Sequence, residues 1–241
     1  MGVDLSHERL NAGSGAGIGG LAGARATADH LPFAGGSFDL VYSRFLLQYL
    51  ADPASALTEM RRVARPGGTV VLQDLDSQLV NNYPPDEVLE GLMGEFLAAS
   101  KGSLDVFIGR KLYSLATTAG LKEVTVRTNA YHLIAGTADA RTMAAWELKV
   151  EIAYPSVVRA LGDDKARELR CRFLKYLADP CTLTYSTLFT VCGSVPEPGA
   201  RTRMEVVTAR LGASQDNRKC TPGEVNQLRR SGRWSAGELR V

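Results

Sequence analysis

Residues 29–76 constrain the fold more than any other part of the chain. They alternate turn, apolar run, amphipathic segment, turn and apolar run. Gly35-Gly36-Ser37 is a turn signal, and the run that follows, residues 38–42, suits a strand covered on both faces. Asp52-Pro53 predicts a helix start, with Asp52 as N-cap and Pro53 at the first helical position. Ala56, Leu57, Met60, Val63 and Ala64 recur at three- and four-residue spacing, which gives that helix one apolar face. Pro66-Gly67-Gly68 stops it, because proline cannot continue a helix and glycine tolerates positive φ. Residues 69–72 form the second apolar run, and Gln73-Asp74 begins a loop at its carboxyl end. Two buried strands joined by a helix make a βαβ unit, so a parallel sheet with a right-handed crossover is expected.

Downstream, residues 79–109 read as an insertion: a loop through Asn81, Asn82, Tyr83, Pro84 and Pro85, then an amphipathic helix over 86–100 whose apolar face is Val88, Leu89, Leu92, Met93, Phe96 and Leu97. A further helix spans 110–119, with Gly120 as its cap, and residues 124–128 alternate like a strand. Residues 137–179 form a second helical insertion, with breaks expected at Tyr154-Pro155 and Gly162-Asp163. Residues 183–191 are rich in β-formers and read as a last strand. The chain therefore divides into an α/β domain over 1–195 and a tail over 196–241 that lacks a steady period. That tail holds nine Lys/Arg against five Asp/Glu, is rich in Gly, Ser and Arg, and reads as mostly disordered.

The net charge of +2 gives no basis for general nucleic-acid or membrane affinity, and nine cations diluted by five anions make a weak nucleic-acid signal even in the tail. No apolar run is long enough to span a bilayer, and no signal peptide precedes the fold, so the cytoplasm is the expected compartment. The four cysteines form no Cys-x-x-Cys pair, so no metal site is expected.

Leu31-Pro32-Phe33, Ser37-Phe38-Asp39, Asp52-Pro53 with Ala56-Leu57, Glu59, Arg62-Val63 and Pro66-Gly67-Gly68 together resemble the middle of a class I S-adenosylmethionine-dependent methyltransferase. The likeness is strongest to the branch that includes the ubiquinone and menaquinone biosynthesis methyltransferases, and runs from about Val3 to Asp76. It implies a Rossmann-like, doubly wound, mostly parallel sheet with helical lid insertions, the last strand antiparallel, and S-adenosyl-L-methionine as cofactor. It implies a small-molecule methyl acceptor, whether O, N or C is methylated being left open. By the same resemblance Asp4 ends a strand and accepts hydrogen bonds from both ribose hydroxyls, a job for a group with two acceptor oxygens. The residues alone also allow Asp4 to be a helix cap. Thr27 stands where the family usually has Asp or Asn toward the adenine amine, Ala28 would offer its backbone N–H to the ring, and Arg44 would meet the methionine part through its backbone. The insertions would shape the acceptor pocket.

The family's first strand and glycine-rich loop are expected about twenty residues before Asp4, and the sequence does not show them there. The run from Gly13 to Gly20 is a poor substitute: no buried strand precedes it. Six glycines from Gly13 to Gly23 would penalise a helix by roughly 5 kcal/mol, so a short or frayed helix is expected there. A nicotinamide-binding reading of that run also fails, because the acid it needs would be Asp39, which begins a strand. The alternative to an enzyme is a truncated, non-catalytic remnant that only binds a partner. For the substrate side, Gln48, Tyr131 and His132 are the candidates; His132 is either a general base or a satisfied histidine, and the second is the commoner use. Trp146, Tyr154 and Tyr176 could line an apolar pocket or a helix core.

Overall fold

Six strands and five α-helices carry the described part of the chain, which in this computed structural model is residues 1–6, 8, 10 and 22–198. The glycine run at 13–20 and the tail from 199 onward, with the expectations placed on them, lie outside it. A short parallel pair, β1 (Gly2–Asp4) and β2 (Gly23–Arg25), stands apart from a four-stranded sheet of order β3-β4-β6-β5. In that sheet β3 (Phe38–Arg44) and β4 (Ala64–Tyr83) run parallel. The last strand, β6 (Leu183–Ser194), lies antiparallel between β4 and β5 (Lys122–Ala135).

The βαβ unit forms as its residues require. The Asp52 carboxylate accepts from the N–H groups of Ala54 and Ser55 at 3.0 and 3.1 Å and starts α1 (Pro53–Val63). Ala56, Leu57, Met60 and Val63 are its buried face, and Gly67 takes the left-handed conformation (φ 70°) in the turn that follows. A main core lies where α1 and α3 (Leu112–Thr118) meet the sheet, built on Leu57, Met60, Val70, Leu72, Leu112 and Val191. A second core joins α2 (Glu87–Ala99), α4 (Ala140–Leu161) and α5 (Asp163–Ala178) to Ile134 of β5.

Several expectations need correction. The sheet is mixed and not wholly parallel: β3, β4 and β5 run in one direction and only the last strand, β6, is reversed, as expected, which makes two of the three pairings in the four-stranded sheet antiparallel. Nor is it doubly wound among the described residues. Both α1 and α3 join one core, while Leu40 and Tyr42 of β3 are 56% and 53% exposed. The second strand does not stop at residue 72: Asn81–Tyr83, read as loop, pair with Leu183–Tyr185 beyond an irregularity in the ladder. Tyr131 and His132 do not follow a strand but belong to β5. Tyr154-Pro155 does not break the helix; α4 runs through Pro155, losing one backbone bond, and ends at Gly162 (φ 80°). Val88 is not on the buried face of α2 but 43% exposed.

Candidate functional site

In β4, Val70, Leu72, Asp74 and Asp76 share one face by the two-residue period of a strand. The first two are core; the two acids continue the row and are 1% and 3% exposed. Asp74 accepts from the N–H groups of Leu75 (3.0 Å) and Gln48 (3.3 Å), so a buried carboxylate fixes the one-turn helix Leu47–Tyr49 beside the end of β3. Burial pushes its carboxyl above the usual range, opposed by those backbone donors. Asp76 accepts from the Arg110 backbone N–H at 2.8 Å and from the guanidinium at 2.6 to 3.0 Å, pinning the start of the short helix Gly109–Lys111. Burial pushes the Asp76 carboxyl up, but the Arg110 and Ser77 bonds prevail and hold it below the usual range.

The turn Leu47–Tyr49 borders a cavity of about 1000 Å³. Phe45 and Gln48 close it from beyond the end of β3, Leu75 from β4, Met93 and Phe96 from α2, Trp146 and Lys149 from α4, and Phe173 from α5. A chain of ring contacts crosses it: Phe45 to Tyr131 (centroids 5.6 Å apart), Tyr131 to His132 (4.2 Å), His132 to Trp146 (4.9 Å), and Trp146 to Phe173 (5.3 Å). Phe45 and His132 are both held in left-handed backbone, φ 52° and 51°, a conformation that costs a non-glycine residue roughly 1–3 kcal/mol and clusters at ligand sites. His132 marks the irregularity in the β5–β6 ladder between Tyr131 and Ile134.

His132 Nε2 lies 2.9 Å from Lys149 Nζ, and the Lys149 ammonium sits 4.3 Å from the centre of the Trp146 ring. Burial, and then the Lys149 charge, pull the His132 pKa down to about 4. The imidazole is therefore neutral at pH 7 and accepts from Lys149. Its Nδ1, which then carries the proton, is buried and without a partner among the described residues. A base whose conjugate acid has a pKa near 4 draws protons weakly at neutral pH, so the geometry speaks for His132 as a positioning group for Lys149.

Of the residues singled out from sequence, Gln48, Tyr131 and His132 come together in this cavity, with Trp146 and Tyr154. Tyr176 does not; its hydroxyl donates to the carbonyls of Pro84 (2.9 Å) and Leu183 (3.3 Å) and ties α5 to the sheet. Asp4, Thr27, Ala28 and Arg44 are not among the lining residues. Asp4 stands at the carboxyl end of β1, where its Oδ1 accepts the Ser6 N–H at 2.7 Å. Thr27 and Ala28 follow β2, and Ala28 packs on the main core. Arg44 ends β3 with its guanidinium 4.5 Å from the Phe45 ring centre, not paired with Asp52 or Glu59. Sequence reasoning missed Phe45 and Lys149. Lys149 follows Trp146 by three residues, the spacing that puts both on one helix face, and that was its available signal.

Residues 1–72 match the methyltransferase domain family. The chain carries a methyltransferase domain at its N-terminus. Over 97 residues it is 40% identical to an uncharacterized 37.1 kDa transposon protein of Streptomyces fradiae, covering 40% of this chain and 28% of that one. Over 77 residues it is 39% identical to a demethylmenaquinone methyltransferase of Beutenbergia cavernae, covering 32% and 30%. The match thus spans less than a third of the length of either relative. The crystal structure of the YcgJ protein from Bacillus subtilis shares the fold, with a TM-score of 0.50 at 18% identity over 82% of each chain.

Asp4 puts a carboxylate at the tip of β1, and Thr27 puts a hydroxyl after β2, where its carbonyl accepts the His30 N–H at 3.2 Å. The buried Ser43 Oγ of β3 and the buried Gln48 Oε1 have no partner among the described residues, so unspent polar capacity lies at the end of β3.

Proposed function

We propose that the protein transfers a methyl group from S-adenosylmethionine to a small molecule held in the cavity under helices α2, α4 and α5. The observation that carries the reading is the placement of that cavity. It lies just past the carboxyl end of β3 and against Leu75 and Gln78 of β4, the side of an α/β sheet where ligands bind, in a chain whose first 72 residues match a methyltransferase domain. Asp4 would hold the ribose, Thr27 and Ala28 the adenine, and Arg44 the methionine part. The cofactor supplies an activated methyl on a sulfonium. This chain's residues then orient the acceptor and exclude water, which is catalysis by proximity and orientation. The aromatic chain from Phe45 to Phe173 gives the acceptor a rigid, apolar wall.

Isothermal titration calorimetry with S-adenosylmethionine and with S-adenosylhomocysteine tests this. Saturable binding of both is expected. A folded protein that binds neither at millimolar concentration would overturn the reading and leave a ligand-binding domain that transfers nothing.

A further inference from the structure

The cavity wall is charged in one sense. Its lining residues include Lys149, Arg159 and Arg170, and no Asp or Glu. Arg170 is paired with Glu151. Lys149 has no carboxylate partner among the described residues; its contacts are the Trp146 face and the neutral His132 Nε2. An ammonium has three donors, and His132 takes one. The other two are left in a space walled by Phe45, Tyr131, Trp146 and Phe173. Lys149 is exposed to the open cavity, so water serves those two donors, and an anion seated on the aromatic wall replaces that water with a charge-assisted contact. His132 does not compete with such an anion for protons, since burial and Lys149 keep it neutral.

We propose that this cavity selects an apolar, ring-bearing molecule with one anionic oxygen group, the anion pairing with Lys149 Nζ while the ring lies against the Trp146–Tyr131 wall. The inference rests on the cavity being the acceptor site, and it narrows the acceptor class to aromatic acids and acidic phenols. His132 is a positioning residue here: it steers the Lys149 ammonium across the Trp146 ring and toward the space between α4 and β5.

Two fluorescent probes of nearly the same shape test this on the whole protein: anilinonaphthalene sulfonate, which carries an anion, and phenylnaphthylamine, which lacks it. The sulfonate should bind about tenfold or more tightly than its neutral counterpart, as one charge-assisted contact allows. Lys149→Met should abolish that preference while leaving the neutral probe's affinity as it was, and Lys149→Arg should keep it. Circular dichroism of each variant verifies the fold, so that a dye bound to loosened protein is not counted. Equal affinity for the two probes, an unchanged preference in Lys149→Met, or no binding of either would overturn the inference. Loss of cofactor binding in calorimetry with the probe preference intact would instead strike the methyl-transfer reading and leave the anion site standing.

Discussion

Replacing Asp76 by alanine should cost the protein about 2–3 kcal/mol of folding stability. The carboxylate is 5% exposed in its side chain and accepts the Arg110 backbone N–H, the Arg110 guanidinium and the Ser77 hydroxyl. Breaking a fully buried ion pair costs about 3–5 kcal/mol because the survivor is left without solvent. Arg110 differs: its side chain is 57% exposed, touches Ser77 Oγ at 3.0 Å and lies 4.8 Å from the Phe107 ring centre, so water replaces most of what it loses. What remains is one backbone N–H deprived of its acceptor, about 1–3 kcal/mol, and the screened remainder of the charged bonds. Urea unfolding followed by circular dichroism measures the sum. The pH dependence gives a second reading. The folded carboxyl lies below its unfolded value, so its contribution is fully present above the unfolded pKa of about 4 and is lost as pH falls through the folded one. Asp76→Asn should therefore remove part of the acid slope as well as part of the stability. A loss under about 0.5 kcal/mol for Asp76→Ala, the range of an ordinary surface change, or an Asp76→Asn curve parallel to the parent's in acid would refute the reasoning.

Glu59 accepts the Leu31 N–H at 2.9 Å while Arg62 holds the carbonyls of Leu31 and Phe33, and its pKa is brought down to about 2 by the Arg62 bond and then the Leu31 bond. Because that value is below the unfolded one, the clamp is expected to stabilise above about pH 4.3 and to fail as pH falls toward 2; Glu59→Gln should flatten that acid branch and raise hydrogen exchange at Leu31, and unchanged exchange would contradict it. Gly109→Ala places a methyl 2.8 Å from Asp76 Cβ and 2.9 Å from Phe189 Cδ2, so a loss of about 1–3 kcal/mol by thermal unfolding is expected. On the cofactor side, Asp4→Ala should weaken S-adenosylmethionine binding about tenfold in calorimetry, since a charge-assisted hydrogen bond contributes roughly 1.5–3 kcal/mol; full affinity in the variant would reduce Asp4 to a cap for Ser6.

The helices were largely legible, because their signals are local. Asp52 caps the helix it precedes, as its place before Pro53 requires, and Gly162 separates α4 from α5. Strand ends were less so, because a partner decides them: Asn81–Tyr83 is polar and looks like loop, and becomes strand only because Leu183–Tyr185 lies beside it. The same holds for Tyr131 and His132, which only the β6 ladder places in β5. Pro155 misled because tertiary contacts of α4 outweigh the loss of one backbone bond. At the candidate site, Tyr131 and His132 were visible as polar aromatics after a strand signal. Lys149 was hidden, since a lysine on a helix reads as solvated until the fold turns it toward a histidine and a tryptophan.

The place of β6 sets an order in time. Leu183–Ser194 is the last described strand in the chain, yet it lies between β4 and β5 and supplies the hydrogen-bond partner of both. Thr69 meets Ser194 across 125 residues of sequence, and Lys122 meets the same residue from the other side. On a ribosome, β4 and β5 must emerge and wait, each with an open edge, until residue 194 has cleared the exit. At about 5–20 residues per second the wait for β4 is roughly 6 to 25 seconds. A chain halted before residue 183 would hold the parallel pair β3–β4 with one open edge on β4, and β5 without a partner in the sheet. Nascent protein of that length is the form in which this molecule is most exposed to pairing with the wrong neighbour.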